Sequence, residues 1–198
     1  MTTEIEPKLA PPGARLPAVE LAIARILIAV GRATGSRDSQ TAKFQAEREK
    51  IRALLTGLDP AQCGRRVLVR RVIGMEDSSR FWSVWMTLDH LRIIHDGMAR
   101  IIGSLGKGVV PPGQSSTAAV KPSLDADAGI TPRYEASCDT LLASAAGVPE
   151  LKTAARYAHP WFGPLDAAGW YGVAGVHLGI HRVQLERIAA GLPDHPHE

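Results

Sequence analysis

The sequence predicts an all-α fold. Long segments repeat apolar residues every three or four positions, the period that turns one side of an α-helix toward a core. Residues suited to cap a helix precede several of these segments, and Gly or Pro follows them. No segment shows a convincing strand pattern. With 198 residues, 45% of them apolar and 22% charged, the chain is large enough to bury a core of its own.

Two helices and one ambiguous segment are predicted in the first part of the chain. After a proline-rich arm over residues 1–15, a helix begins at Pro17 and ends in the glycine-containing stretch 31–35. A second helix covers residues 38–58, with an apolar stripe on one side and a charged face on the other. In residues 63–78 four arginines surround a short apolar run, a pattern that fits either a short strand or an irregular helical turn.

A third long helix is predicted to start at a cap, Ser78 or Ser79, and to reach Leu105. Residues 106–132 are rich in Pro and Gly and form a long loop, which in a compact domain is typical of a lid or a binding segment. The other predicted helices cover residues 134–146, 149–157 and, with Asp166 as the N-cap, 166–190.

Composition and charge exclude several classes of protein. A formal net charge of +3 is too small for a nucleic-acid-binding footprint. The longest apolar window is interrupted by charges and is too short to cross a bilayer, and the N-terminus lacks the features of a signal peptide. Cys63 and Cys138 have no neighbouring cysteine, which argues against a CxxC site and a disulfide framework. We therefore expect a cytoplasmic protein without membrane or nucleic-acid partners.

Three histidines are candidate metal ligands. His177 and His181 stand four positions apart in the last predicted helix, about 40° apart on a face that is otherwise apolar. His90 lies on the inner stripe of the third helix, so three imidazoles can meet in a bundle core. Buried without an ion, they would leave several hydrogen bonds unmade. Leu178 stands where the HExxH metalloproteases have their glutamate, which excludes that chemistry.

Three segments carry a resemblance to a known family. The WSVWMTLDHL segment at 82–91, the HPWFGPL segment at 159–165, and residues 170–185 with their HxxxHxxQL pattern resemble the DinB/YfiT-like superfamily. The resemblance covers residues 38–190 and implies an up-down four-helix bundle that binds a divalent ion through His90, His177 and His181. The N-terminal helix and the 106–132 loop, which precedes the third bundle helix, are additions to this pattern.

The resemblance implies a metal-dependent enzyme, either a transferase that uses a low-molecular-weight thiol or a hydrolase. Three protein ligands leave coordination positions open for a water or a small-molecule substrate. Imidazole ligands favour zinc or nickel, and manganese and iron stay open. The alternative is a non-catalytic, stress-linked module that binds a metal or a small ligand. A homodimer is the base-rate expectation for the oligomeric state.

The remaining candidates have smaller expected roles. Gln184, one turn beyond His181, is expected to contact the substrate or a water at the metal. His95 lies about 140° around the helix from His90 and is expected to pack rather than to bind the ion. His159, in a rigid aromatic turn, is expected to bond to backbone. The chain divides into an arm (1–15), one bundle domain (16–192) and a polar tail (193–198) that contains two further histidines.

Overall fold

The computed structural model describes residues 6–193, and five α-helices form most of this part. Four of them make a bundle in which α3 contacts both α4 and α5, and α5 also contacts α2. The first helix, α1, packs on the outside of the bundle against α5. The predicted all-α class and the additional N-terminal helix are therefore confirmed. The helices are α1 (Ala18–Thr34), α2 (Arg37–Thr56), α3 (Val84–Gly106), α4 (Ile130–Ala146) and α5 (Ala167–Ala190).

The start of α3 differs from the prediction. Ser78 and Ser79 lie in a short 3-10 turn, Asp77–Ser79, and do not cap the long helix. Ser83 is the N-cap, and its hydroxyl oxygen accepts a hydrogen bond from the backbone N–H of Met86 at 3.1 Å. The helix cannot begin earlier because the two residues before Ser83 pair with another extended segment.

Two short antiparallel hairpins join the helices. β1 (Val67–Leu68) pairs with β2 (Phe81–Trp82), so the ambiguous segment contains a strand. β3 (Tyr157–His159) pairs with β4 (Gly163–Leu165). The predicted helix over residues 149–157 is wrong, because this segment is irregular and ends in β3. The carbonyl of Leu151 in this segment accepts a hydrogen bond from the Ala168 N–H at 2.7 Å and so satisfies a backbone donor in the first turn of α5.

The core lies between the bundle helices and consists of fully buried aliphatic and aromatic side chains. A buried arginine crosses it at one edge: Arg48 of α2 forms ion pairs with Glu135 and Asp139 of α4. These pairs connect two helices that share few apolar contacts. No helix within residues 6–193 is long and apolar enough to cross a membrane.

Three glycines of α5 allow close contact with α2. A Cβ at Gly175 would lie 3.7 Å from the backbone nitrogen of Phe44, and the faces of Gly172 and Gly179 also meet side chains of α2. The three glycines thus form a ridge of small residues along which α2 approaches α5. The opposite side of α5 is left to carry the histidines.

The long loop, residues 107–129, runs across the outside of α3 toward the β3–β4 hairpin. The Ser123 N–H donates to Asp89 of α3 at 2.9 Å, and the Ser115 hydroxyl donates to the carbonyl of Ala158 in β3 at 2.6 Å. Between these anchors lies a short 3-10 turn, Ala118–Val120. The loop is thus fixed at both sides and covers the face of α3 that carries His90.

Candidate metal centre

The bundle brings His90, His177 and His181 together. Each contributes a ring nitrogen to a group in which all three nitrogens lie within 4.8 Å of one another. The Nε2 atoms of His90 and His177 are 3.2 Å apart. The helical spacing of four residues in α5 and the inward stripe of α3 place the rings as the sequence predicted. Within residues 6–193, no carboxylate or thiol joins this cluster.

Hydrogen bonds on the far side of two rings fix their tautomers. The Nδ1–H of His90 donates to the carbonyl of Val120 at 2.6 Å. Gln184 donates from its amide nitrogen to the Ser79 carbonyl at 2.6 Å, so its Oε1 is left to accept from Nδ1–H of His181, also at 2.6 Å. Both histidines therefore present an unprotonated Nε2 to the cluster, the state that binds a metal.

Burial keeps the rings neutral. Removal from water lowers the pKa of His90 to about 4. The same cause, reinforced by the neighbouring imidazoles, holds the pKa values of His177 and His181 well below the ordinary value. At neutral pH the cluster is a set of uncharged nitrogen donors, so no proton competes with a cation for their lone pairs.

The geometry and donor set fit a divalent ion. Two nitrogens bound to one zinc ion at 2.0–2.1 Å in a tetrahedral arrangement are about 3.3 Å apart, close to the observed separation of 3.2 Å. The Nδ1 of His177 is buried and has no hydrogen-bond partner among the described residues, so this ring is directed at the cluster by its Nε2 alone. Without an ion, the facing nitrogens of His90 and His181 both need a donor, and His177 can supply one proton at most. Buried unpaired nitrogens are costly, and an ion bound by all three rings would remove much of that cost.

The cluster lies at one end of a cavity of about 580 Å³. One wall is the stripe of α3 that contains His90, Ile94, Gly97 and Ile101. The long loop forms the roof, and aromatic residues of the β3–β4 hairpin and α5 close the other side. Two of the four tryptophans, Trp161 and Trp170, are in this wall.

Sequence reasoning missed a charged pair in the cavity wall. Lys121 of the loop donates from Nζ to Glu76 at 3.1 Å and to the hydroxyls of Ser78 and Ser79. Burial would raise the pKa of Glu76, but the Lys121 ammonium and hydrogen bonds lower it, so the carboxylate is ionised at neutral pH. One of its oxygens is buried and has no hydrogen-bond partner within residues 6–193. Both residues lie in irregular segments, where periodicity gives no information on side-chain direction.

The other candidate residues lie outside the cluster. His95 is fully buried and packs edge-on against Phe44, as expected. His159 accepts the Trp161 N–H at 3.1 Å, as expected, and also lines the cavity. The hydrogen bonds of Gln184 give it a role in orienting His181, and its contact with a substrate or a water stays a prediction. The two histidines of the tail lie outside the described residues.

Comparison with known proteins places the fold in a family. The sequence model of the DinB superfamily matches residues 43–185. The chain belongs to this superfamily. A solved structure described as TT2238, a four-helix bundle protein, superposes on this DinB protein with a TM-score of 0.56 and 21% identity, covering 76% of this chain and 98% of the other. A comparison with curated protein sequences gave no match. The family match begins within α2, so α1 is an addition to the DinB pattern.

Proposed function

We propose that this DinB protein is a divalent-metal-dependent enzyme whose ion is held by His90, His177 and His181. The observation that supports the proposal is the position of three neutral, crowded imidazoles at one end of an apolar cavity. Three nitrogen ligands favour zinc or nickel over harder ions and leave positions open for an exogenous molecule. When bound, the ion supplies Lewis acidity that lowers the pKa of a coordinated thiol or water.

The residues of the chain then have distinct tasks. The Val120 carbonyl and Gln184 hold His90 and His181 in their ligand tautomers. The loop covers the face of α3 that carries His90 and lines the cavity. Glu76 is the ionised carboxylate of the cavity wall and, paired with Lys121, is our candidate acceptor for a substrate proton.

We propose two reactions for such a site, transfer of a low-molecular-weight thiol to an electrophile and hydrolysis of an ester or amide. Both need a deprotonated nucleophile beside a cavity for a small molecule. Cys63 and Cys138 are free and buried, which supports a reducing cytoplasmic location. The test is turnover on a panel of thiols, electrophiles and esters, measured with and without added metal. Turnover that requires the metal and is lost in His181→Ala would support an enzymatic function. Full metal occupancy without turnover would support the non-catalytic module instead.

We expect untagged protein to copurify with close to one equivalent of a first-row divalent metal. Elemental analysis by mass spectrometry measures it directly. Removal of the ion by a chelator should lower the melting temperature, because the metal binds only the folded arrangement of the ligands. Less than about a tenth of an equivalent after incubation with zinc, together with an unchanged melting temperature on chelation, would overturn the metal assignment.

A further inference from the structure

The cavity has a polar end and an apolar body. The histidine cluster, Glu76 and Lys121 lie at one end. Beyond them the α3 wall is mostly apolar and includes Ile94, Gly97 and Ile101, with two polar residues near its far end. The loop and the hairpin face this wall with prolines, valines and aromatic rings, and with the polar side chains of residues 114–117. Water is a poor occupant of such a space, because the apolar lining offers it no hydrogen bonds and the lining side chains lack packing contacts on that side.

Gly97 keeps the apolar body open. A Cβ at this position would have no atom within 4 Å, although the residue lies in the middle of α3 with tightly packed neighbours along the same helix. Glycine inside a helix lowers the stability of the helix relative to alanine. Because its neighbours on α3 are buried, the empty space beside Gly97 belongs to the cavity and does not come from loose packing of the helix.

We propose that the apolar body binds the hydrocarbon part of the substrate, an alkyl or aromatic group that lies along α3 while a polar head reaches the histidine cluster. The placement of the polar head at the histidine cluster rests on the proposed function. Binding of the hydrocarbon part does not require a metal. A volume of about 580 Å³ suits a ligand of ordinary small-molecule size. The apolar wall sets the substrate class: a molecule that is polar along its whole length would lose hydration there without compensation.

Binding of straight-chain alcohols to the metal-free protein tests the hydrocarbon site alone. Trp161 and Trp170 line the cavity, so tryptophan fluorescence can follow the titration. From butanol to decanol we expect affinity to rise about threefold to fourfold per added methylene, the increment expected for burial of one CH₂. Affinity that does not change with chain length would overturn the proposal whether or not the protein binds a metal.

Gly97→Leu places a side chain in the apolar body and should weaken decanol binding by more than about tenfold. Gly97→Ala, the matched control, fills little space and should bind decanol within about twofold of the unmodified protein. Both variants should keep the metal content, which shows that the cluster is intact. Equal decanol affinity in a folded Gly97→Leu would also overturn the site. If this variant does not fold, the chain-length series still decides.

A separate observation concerns α1, whose apolar side faces outward. Five side chains on an arc of about 100° are between 52% and 74% exposed. The charged residues of the helix instead bind the rest of the protein: Glu20 pairs with Arg71, and Arg32 pairs with Asp166. This is the reverse of the usual surface helix, which buries its apolar stripe. The five exposed residues, here called the α1 face, are Val19, Ile23, Ile26, Leu27 and Val30.

We infer that the α1 face binds the α1 face of a second copy of this chain, with the two helices crossing a two-fold axis. The face carries no charge, so two copies meet without repulsion or unpaired ions. It exposes on the order of 500 Å² per subunit, and two such faces reach the roughly 1,000 Å² that a specific interface requires. The ion pairs of Glu20 and Arg32 hold the helix in this orientation on its own subunit.

Analytical ultracentrifugation of the full chain at micromolar concentrations tests the dimer. The unmodified protein should sediment as a dimer, and Ile26→Glu should sediment as a monomer with unchanged circular dichroism. Leu124→Glu, at an equally exposed leucine in the loop, should stay dimeric. A monomeric unmodified protein would overturn the inference, and so would a dimer that survives Ile26→Glu. Binding of the monomer to lipid vesicles would assign the α1 face to a membrane surface instead.

Discussion

Lowering the pH from 7 to 5 should remove about 6 kcal/mol from the folding free energy of the metal-free protein. His90 and His159 have pKa values lowered to about 4 by burial, and burial lowers the pKa of His95 to about 3. An unfolded histidine titrates near 6.5, so below that pH the unfolded chain binds protons that the folded chain does not. The loss is about 2 kcal/mol per histidine at pH 5.

This effect is large compared with the stability of an ordinary domain, which is about 5–15 kcal/mol. The loss begins near pH 6.5 and continues until the folded-state pKa values are reached, at about 4 for two of the histidines. His177 and His181 add to it in the same direction. We therefore expect metal-free protein to unfold in mild acid, and bound metal to move the transition to lower pH because protons must displace the ion.

Urea unfolding at pH values from 7 to 5 measures the loss. His95→Gln provides the control, because this residue is outside the cluster and glutamine does not titrate. Unfolding of the variant should take up one proton fewer than unfolding of the unmodified protein. Between pH 6 and 5 its unfolding free energy should therefore fall less steeply, by about 1.4 kcal/mol per pH unit. A stability that is constant across this range in the unmodified protein would contradict the assignment of buried neutral histidines.

The helices and the histidine cluster could be predicted because both depend on helical periodicity. The stripe through His90, Ile94 and Gly97 identified one face of α3, although the structure uses this face as a cavity wall and not as packed core. The HxxxH spacing of His177 and His181 fixed their side of α5. A helical period determines which residues share a face, but it does not say whether the face meets protein or an open space.

Contacts made by irregular segments could not be predicted in this way. The Val120 carbonyl bonds to His90 across 30 positions, and Lys121 meets Glu76 across 45. These contacts depend on the path of a loop, which the local sequence does not determine. The wrong helix over residues 149–157 has a related cause: the segment is irregular, its Leu151 carbonyl accepts the Ala168 N–H, and only its last residue, Tyr157, enters β3.

The roles of individual residues at the cluster should appear as a graded loss of zinc affinity. His177→Ala removes a ligand, and we expect its affinity to fall by more than about 100-fold. Gln184→Leu leaves all three ligands but removes the bond that orients His181. Loss of such an outer partner typically costs about 10- to 100-fold in metal affinity. The zinc affinity of Gln184→Leu should therefore lie between that of His177→Ala and that of the unmodified protein.

His159→Gln is the matched control for this series, since His159 is also a buried histidine of the cavity wall but lies outside the cluster. Its zinc affinity should stay within about threefold of the unmodified value, because it contacts no ligand directly. Competition with a chromophoric chelator at pH 7.5 gives the affinities, and circular dichroism confirms that each variant is folded. The order of the zinc affinities of the three variants distinguishes a specific role of Gln184 from a general effect of the cavity wall. A weakening by His159→Gln equal to that of His177→Ala would point to a diffuse effect of cavity polarity, whereas the predicted order requires that Gln184 act through His181.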